Sequence, residues 1–334
     1  MRNYILRRLL LIPVIMLGVS FLTFMMFRVV VPGDAAIIEC GFGCTPEVVD
    51  AVRHEKGLDR PWYEQYGDWL WDIAEPVIHD VGPIPVPGPR FDLGESLTES
   101  ELPVTTELDR RLPITLQLLL MTIVFSLILG IPPGIISAIR PNTPLDWISR
   151  VGSVIWLSVP NFWLGILVIT FGVVWFDWTP PQFGQGYVPF FDDPWVNLQQ
   201  FIFPALVLSL AIAATIMRLT RSSLLEVLRN DYIRTAWSKG LRERTVVVRH
   251  ALKNALIPVA TVVGIQIGAL IGGSVLVESV FNLNGVGKYV LEAILRRDYI
   301  AVQGVVLIFA LTYVLANLVV DVGYGWLDPR IRYA

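Results

Sequence analysis

Residues 112–139 read LPITLQLLLMTIVFSLILGIPPGIISAI, and from Leu112 to Ile139 there is no Asp, Glu, Lys or Arg. A bilayer core about 30 Å thick takes about 20 apolar residues to cross as a helix, whereas buried helices of soluble proteins more often offer runs of about 10 to 14. The stretch therefore predicts a transmembrane span. Five further runs free of those four residue types lie on either side of it: Leu9 to Phe27, Val151 to Phe176, Phe201 to Met217, Leu256 to Val277 and Ala301 to Val320. A hydrophobic content of 54% over 334 residues agrees with six spans and exceeds what a soluble domain needs. The expected fold class is an all-α membrane protein with six transmembrane helices.

The first run follows Arg2, Arg7 and Arg8, as the core of a secretory signal would. It is long for a signal, and Val29-Val30-Val31-Pro32-Gly33-Asp34 contains no small-x-small cleavage pattern, so a retained anchor is expected. With the N-terminus inside, Lys and Arg number three before span one, two between spans two and three, nine from Arg218 to Lys253, and two at the C-terminus. The alternate segments hold six in residues 32–111, none in the third loop and three in the fifth. The short loops decide, because long translocated loops follow charge rules poorly. Both termini are expected in the cytoplasm, with the chain crossing the inner membrane several times.

Three regions result: 1–31, the N-terminus and span one; 32–111, an enlarged extracytoplasmic loop; and 112–334, the membrane core with spans two to six and a cytoplasmic loop at 220–257. The outer loop carries 17 acidic residues from Asp34 to Asp109, with Trp62, Trp69 and Trp71 close together. It is expected to be partly folded. Val81-Gly82-Pro83-Ile84-Pro85-Val86-Pro87-Gly88-Pro89 cannot form helix and should run extended, after a helical first part. Two readings of the loop stand: a lid or docking surface for an external solute-binding protein, or a solvated acidic loop. Cys40 and Cys44 lie in this loop as Cys-Gly-Phe-Gly-Cys. The compartment permits a disulfide, two free thiols fit the sequence nearly as well, and metal binding lacks two further ligands.

In span three, Pro160-Asn161 should kink the helix inside the membrane, either to line a pathway or as a packing device. In span five, Gly264, Gly268 and Gly272 recur every fourth residue and leave a groove for a close neighbour, from this chain or from a second one.

The loop from about Thr220 to Ile257 is patterned too regularly for a connector. Asp231 is placed to cap a short helix in which Ile233, Ala236, Trp237 and Leu241 recur at helical spacing, while Arg234, Lys239 and Arg242 point elsewhere. Gly240 can take the left-handed conformation that ends it, and a second helix runs to Pro258. Periodicity alone leaves two readings: a lever that inserts into a groove on a soluble motor, or an interfacial helix held to anionic lipid.

The segment Asp231-Tyr232-Ile233-Arg234-Thr235-Ala236-Trp237-Ser238-Lys239-Gly240-Leu241, followed by His250-Ala251-Leu252-Lys253-Asn254-Ala255-Leu256-Ile257-Pro258, resembles the EAA coupling loop of the dipeptide/oligopeptide/nickel family of ABC importer permeases. Further matches run along nearly the whole chain. They are Phe27-Arg28 with Pro32-Gly33-Asp34; Gly57-Leu58-Asp59-Arg60-Pro61 with Gln65-Tyr66; Phe91-Asp92-Leu93-Gly94-Glu95-Ser96; Pro103-Val104; and Arg111-Leu112-Pro113-Ile114-Thr115-Leu116. Glu278-Ser279-Val280-Phe281, Arg297-Asp298-Tyr299 and Leu327-Asp328-Pro329-Arg330-Ile331-Arg332 complete them. The resemblance implies a second, similar permease, two ATPase subunits that hold ATP and Mg, and an extracytoplasmic solute-binding protein. It also implies that Ala236 and Gly240 pack into the ATPase cleft, with Arg234, Thr235, Trp237, Lys239 and Leu241 beside them. Cargo in the family includes peptides, nickel chelates and oligosaccharides, with peptide the commonest.

Three departures stand out. Trp237 occupies a position where the family commonly has a basic residue, Asn284 replaces an expected proline, and residues 40–44 and 71–89 lengthen the outer loop.

No Gly-x-x-x-x-Gly-Lys-Ser/Thr occurs, so ATP hydrolysis is expected on separate chains, and this chain is expected to bind no cofactor, metal or nucleic acid. An ion-driven secondary transporter would need carboxylates inside its spans, and only Glu278 and Asp321 sit at span ends. A membrane enzyme would need clustered acids, bases or metal ligands. His54, His79 and His250 form no His-Glu-x-x-His pair.

Overall fold

The computed structural model describes residues 2–27, 35–40, 44–55, 57–81, 84–89, 91–97 and 102–327. Pro32-Gly33-Asp34 and Asp328 to Arg332, both parts of the sequence pattern, lie outside them. Long helices dominate: α1 (Arg2–Met25), α5 (Val104–Ile139), α9 (Pro194–Leu228), α12 (Leu252–Val280) and α14 (Tyr299–Leu327). These five are long and apolar enough to cross a membrane, and the pair α6 (Pro144–Ser158) and α7 (Asn161–Phe176) makes a sixth if it is counted as one bent span rather than a re-entrant loop. In lipid every backbone amide must be satisfied inside its own segment, which is why such runs fold as helices.

Span three is thus two helices meeting at 99°, a sharper break than the predicted kink. Val159 and Pro160 are both extended, with ψ of 122° and 133°. The proline ring bars its predecessor from helical geometry, so the chain leaves the helix for two residues and restarts at Asn161. Pro258 behaves differently. The predicted stop there does not occur: the second helix of the loop at 220–257 runs on through Pro258 into α12. A proline inside a membrane helix forfeits one hydrogen bond, and neighbouring segments and small backbone adjustments absorb the loss.

The chain divides into two compact units. The first comprises Met1–Arg8, Ile114–Gly287 and Tyr313–Ala334. Its core is α9, whose Phe201, Ala205, Leu208, Ile212, Ile216 and Leu224 are buried. Asp193 caps α9 by accepting from the amides of Trp195 and Val196 at 3.0 and 3.1 Å, with Pro194 in the first helical position. Glycines outside the predicted groove also admit a neighbouring helix, here its backbone. A Cβ at Gly130 of α5 would meet the Ala213 carbonyl oxygen at 2.8 Å, and one at Gly134 would meet that of Met217 at 2.7 Å. Of the predicted groove, Gly264 is buried, Gly268 faces the Tyr313 ring, and a Cβ at Gly272 would meet no described atom within 4 Å.

The second unit comprises Leu9–Pro113 and Lys288–Thr312. In it the outer loop folds as α2 (Ala35–Cys40), α3 (Pro46–Glu55) and α4 (Trp62–Ala74), followed by an antiparallel pair, β1 (Pro76–Val81) and β2 (Ile84–Pro89). The extended stretch expected from its prolines is therefore a strand. Pro85, Pro87 and Pro89 occupy alternate positions, so their donorless nitrogens all face one edge and the other edge is left to pair. Cys40 and Cys44 are joined as a disulfide. The His54 imidazole beside Asp59, 2.7 Å away, holds that carboxyl below its usual range. Two motifs distant in sequence meet here: Ser96 donates to Asp298 at 2.5 Å, and Asp298 caps α14 by accepting from the Ala301 amide.

Gly134→Ala should destabilise the chain by about 1–3 kcal/mol, since the new methyl meets backbone rather than a movable side chain. Gly272→Ala should leave the isolated chain unchanged or up to about 1 kcal/mol more stable. Thermal unfolding of the two variants in detergent compares them directly, and equal effects would contradict the assignment of Gly134 as the contact.

Candidate functional site

The loop at 220–257 is built on the end of α9. Two residues, Arg229 and Asn230, turn the chain into α10 (Asp231–Ser238). The residue flanking this helix is Asn230, extended at ψ 149°, and no side chain caps the first turn. Asp231, expected as the cap, is instead the first helical residue. There its charge suits the helix N-terminus, and it pairs with Arg234 at 3.5 Å on the surface. Such exposed pairs contribute at most about 1 kcal/mol.

The end of α10 is tightly specified. Gly240 has φ +73°, its amide donates to the Trp237 carbonyl at 2.9 Å, and the Leu241 amide reaches back to Ala236. This is a Schellman motif, and only glycine enters its left-handed position without strain. Leu241 then packs on the same core as Ala236.

That core is the seat of the site. Ile233 and Ala236 are buried against Leu224 of α9, Ala138 of α5, and Val246, Val247, Ala251 and Ala255 of the following segment. The returning chain forms a short helix α11 (Glu243–Thr245), then a π-helical turn from Val246 to Ala251, then α12. Hydrogen bonds five residues apart bring Val246 and Ala251 onto one face, and both are fully buried. Asn254 closes the unit by donating to the Tyr232 hydroxyl at 2.8 Å.

Two expectations change. Trp237 leaves the apolar stripe: it is 44% exposed, because an eight-residue helix needs only Ile233 and Ala236 to fill its seat. Ala236, expected to enter a partner's cleft, lies in the chain's own core, where a larger side chain would lift α10 off α9. The outward surface is Arg234, Thr235, Trp237, Lys239 and Gly240. Its hydroxyls are not free to reach out, since Thr235 and Ser238 both donate back to main-chain carbonyls of their own helix.

Beside this seat lies a polar lock that the sequence reading missed. Asp146, with no exposed surface, accepts from Arg221 Nε and Nη2 at 2.8 and 3.1 Å, from the Asn142 amide at 2.9 Å, and from the Ser137 hydroxyl. Arg150 Nε stands 3.5 Å away. The lock joins the end of α5, the start of α6 and the C-terminal part of α9. A signal was present: Asp146 is the single Asp or Glu between Asp109 and Asp177, three residues after Thr143 in a helix-start pattern.

On the opposite side of the membrane, side-chain amides hold the third loop to α9. Gln200 donates to the Gly186 carbonyl at 2.6 Å and Asn197 to that of Val188 at 2.8 Å. In the same loop, burial and the Asp192 carboxylate push the Tyr187 phenol up. Glu278, fully buried at the end of α12, accepts from Thr115, which accepts in turn from the Val286 amide. Among the described residues there is no cluster of three or more His, Cys, Asp or Glu placed to hold a metal.

Helices that cross lipid, with a rigid and partly exposed helical loop on the side where charge accumulates, are the build of a membrane transport permease. Residues 130–333 match the family described as binding-protein-dependent transport system inner membrane component, and residues 1–119 match its N-terminal counterpart. The chain belongs to this family, and its role is therefore that of a transport subunit in the inner membrane. A dipeptide transport system permease protein of Alkalihalophilus pseudofirmus is 36% identical over the whole of both chains. A glutathione transport system permease protein of Escherichia coli O6:H1 is 38% identical, again over the whole of both. Among solved structures, a chain of the MetNI methionine ABC transporter in inward-facing conformations aligns with TM-score 0.53 at 19% identity, covering 67% of this chain and 98% of that one. That likeness shows the fold.

Removing one partner of a buried ion pair leaves the other charge uncompensated. Asp146→Ala and Arg221→Met should each destabilise the chain by about 3–5 kcal/mol, and the double variant Asp146→Leu with Arg221→Met by less than the two together. Unfolding temperatures of the three variants measure this; strict additivity would mean that the two groups do not act as a pair.

Proposed function

We propose that the chain is one permease of an ATP-binding-cassette importer, moving peptides inward by alternating access, and that α10 is where a separate ATPase subunit takes hold. One observation carries the reading: a short helix with a bound, incompressible underside and an outward face of Arg234, Trp237, Lys239 and Gly240 sits on the ends of two spanning helices. A push on that face has nowhere to go but into α9 and α12. The lipid alternative for α10 is less well supported, because the apolar residues such a helix would bury in a membrane, Ile233 and Ala236, are already used inside the chain.

The assembly implied is a second permease of the same family, two ATPase subunits that carry ATP and Mg, and an external solute-binding protein that delivers cargo, with both termini of this chain in the cytoplasm. No cofactor is assigned to this chain. Arg234, Thr235, Trp237, Lys239 and Gly240 form the ATPase contact, Ala236 and Leu241 support it from beneath, and Gly272 is free for a helix of the second permease. Peptide is the cargo class because the relatives of full length are named for dipeptide and glutathione transport.

Trp and Arg anchors at interfaces typically contribute about 2 kcal/mol or more, so Trp237→Ala or Arg234→Glu should weaken ATPase association by about 30-fold while leaving unfolding temperature unchanged. Association and hydrolysis stimulated by loaded binding protein, measured in the reconstituted complex, check this; full stimulation in both variants refutes the assignment. Binding of dipeptides, oligosaccharides and nickel chelates to the cognate solute-binding protein tests the cargo, and capture of sugar or nickel alone would overturn the peptide reading.

A further inference from the structure

Helix α4 is two-sided. Projected at helical spacing, Trp62, Tyr66, Trp69, Leu70 and Ile73 share one arc, and Glu64, Asp68 and Asp72, four residues apart, share the opposite one. None of its residues is buried: on the aromatic side Trp62 is nearly half exposed and Tyr63, at the edge of that arc, 59% exposed, while Trp71, beside Glu64, stands on the carboxylate side. An aromatic face of this kind left in water is costly, and a soluble partner is one way to cover it.

Its depth argues for another. The Tyr66 hydroxyl lies 2.8 Å from Ser20 Oγ and donates to the Leu17 carbonyl at 3.3 Å, and Tyr66 also packs against the rings of Phe21 and Phe24. Trp62 meets Phe21 edge-on. Ser20 stands seven residues before Phe27, the outer end of the apolar run, which at 1.5 Å per residue is about 10 Å inside it. A helix whose tyrosine reaches that level of a membrane span lies at the depth of the outer leaflet, where a water-soluble protein does not reach. Its aromatic surface is also continuous with the exposed apolar surface of α1 at Leu17, Phe21 and Leu22.

We infer that α4 is an interfacial helix whose Trp and Tyr face beds in the headgroup and acyl boundary of the outer leaflet, with the carboxylate arc turned to water. Aromatic rings with a polar tip are the side chains that settle at this boundary. The acidic arc gives no attraction to anionic headgroups, so the ligand is the apolar and zwitterionic boundary itself. The inference depends on α1 spanning the membrane and not on the coupling role of α10.

The test uses the assembled complex in phosphatidylcholine nanodiscs, with a nitroxide attached at Tyr63→Cys or, in a separate variant, at Asp68→Cys; Cys40 and Cys44 are already bridged. At position 63 the ratio of oxygen to nickel-chelate collisions should be several-fold higher than at position 68, and unchanged when phosphatidylglycerol replaces half the lipid. Equal ratios at the two positions would overturn the inference. So would loss of collisions at position 63 on adding the solute-binding protein, which would make this face a protein contact. Trp62→Cys provides a second reporter if Tyr63→Cys fails to assemble.

Discussion

Between two helices already in lipid, burying apolar surface gains almost nothing, because the acyl chains they leave are as apolar as each other. What holds such helices is close approach and polar bonds that have no better partner. The contact of α5 with α9 uses both: Gly130 and Gly134 admit the carbonyls of Ala213 and Met217, and one turn further along α9 Arg221 donates to Ser137 of α5 while closing on Asp146 of α6. The rest of the first unit depends on this seam, since α9 is its most buried helix among the described residues and also carries the loop that holds α10.

The seam ends where the loop begins. Ala138 of α5 and Leu224 of α9 belong both to the helix contact and to the floor under Ile233 and Ala236. A close-packed floor of small and branched side chains has little room to yield. Force applied to α10 is therefore passed to helix ends rather than absorbed in the loop. The π-turn at Val246–Ala251 contributes by aligning two buried residues that an α-helical register would set on different faces.

Much of the fold was legible in the residues. Absence of charge located the spans, because a single Lys or Asp at mid-bilayer costs several kcal/mol and leaves a clear trace in composition. The end of α10 was legible too, since a glycine after an amphipathic run is the residue that accepts a left-handed turn. Legibility failed where one residue type serves two ends. The regular Gly264, Gly268 and Gly272 attracted attention, and Gly268 does lie tight against the Tyr313 ring, whereas the backbone-to-backbone contact at Gly130 and Gly134, flanking a pair of prolines, went unnoticed. Spacing marks a surface another helix could approach, but it does not say which surface is approached.

The amino-acid sequence by itself determined the number and position of the apolar runs, the break at Pro160, the extended proline stretch and the short helix before Gly240. Each follows from local sterics or from transfer of side chains out of water, which neighbours in sequence suffice to define. Only the tertiary structure decided that Asp146 meets Arg221, that Ala236 faces inward while Trp237 faces out, and that Tyr66 reaches the level of Leu17. Those are pairings across 75 or 49 residues of chain or choices between faces of one helix, and they depend on where other helices stand.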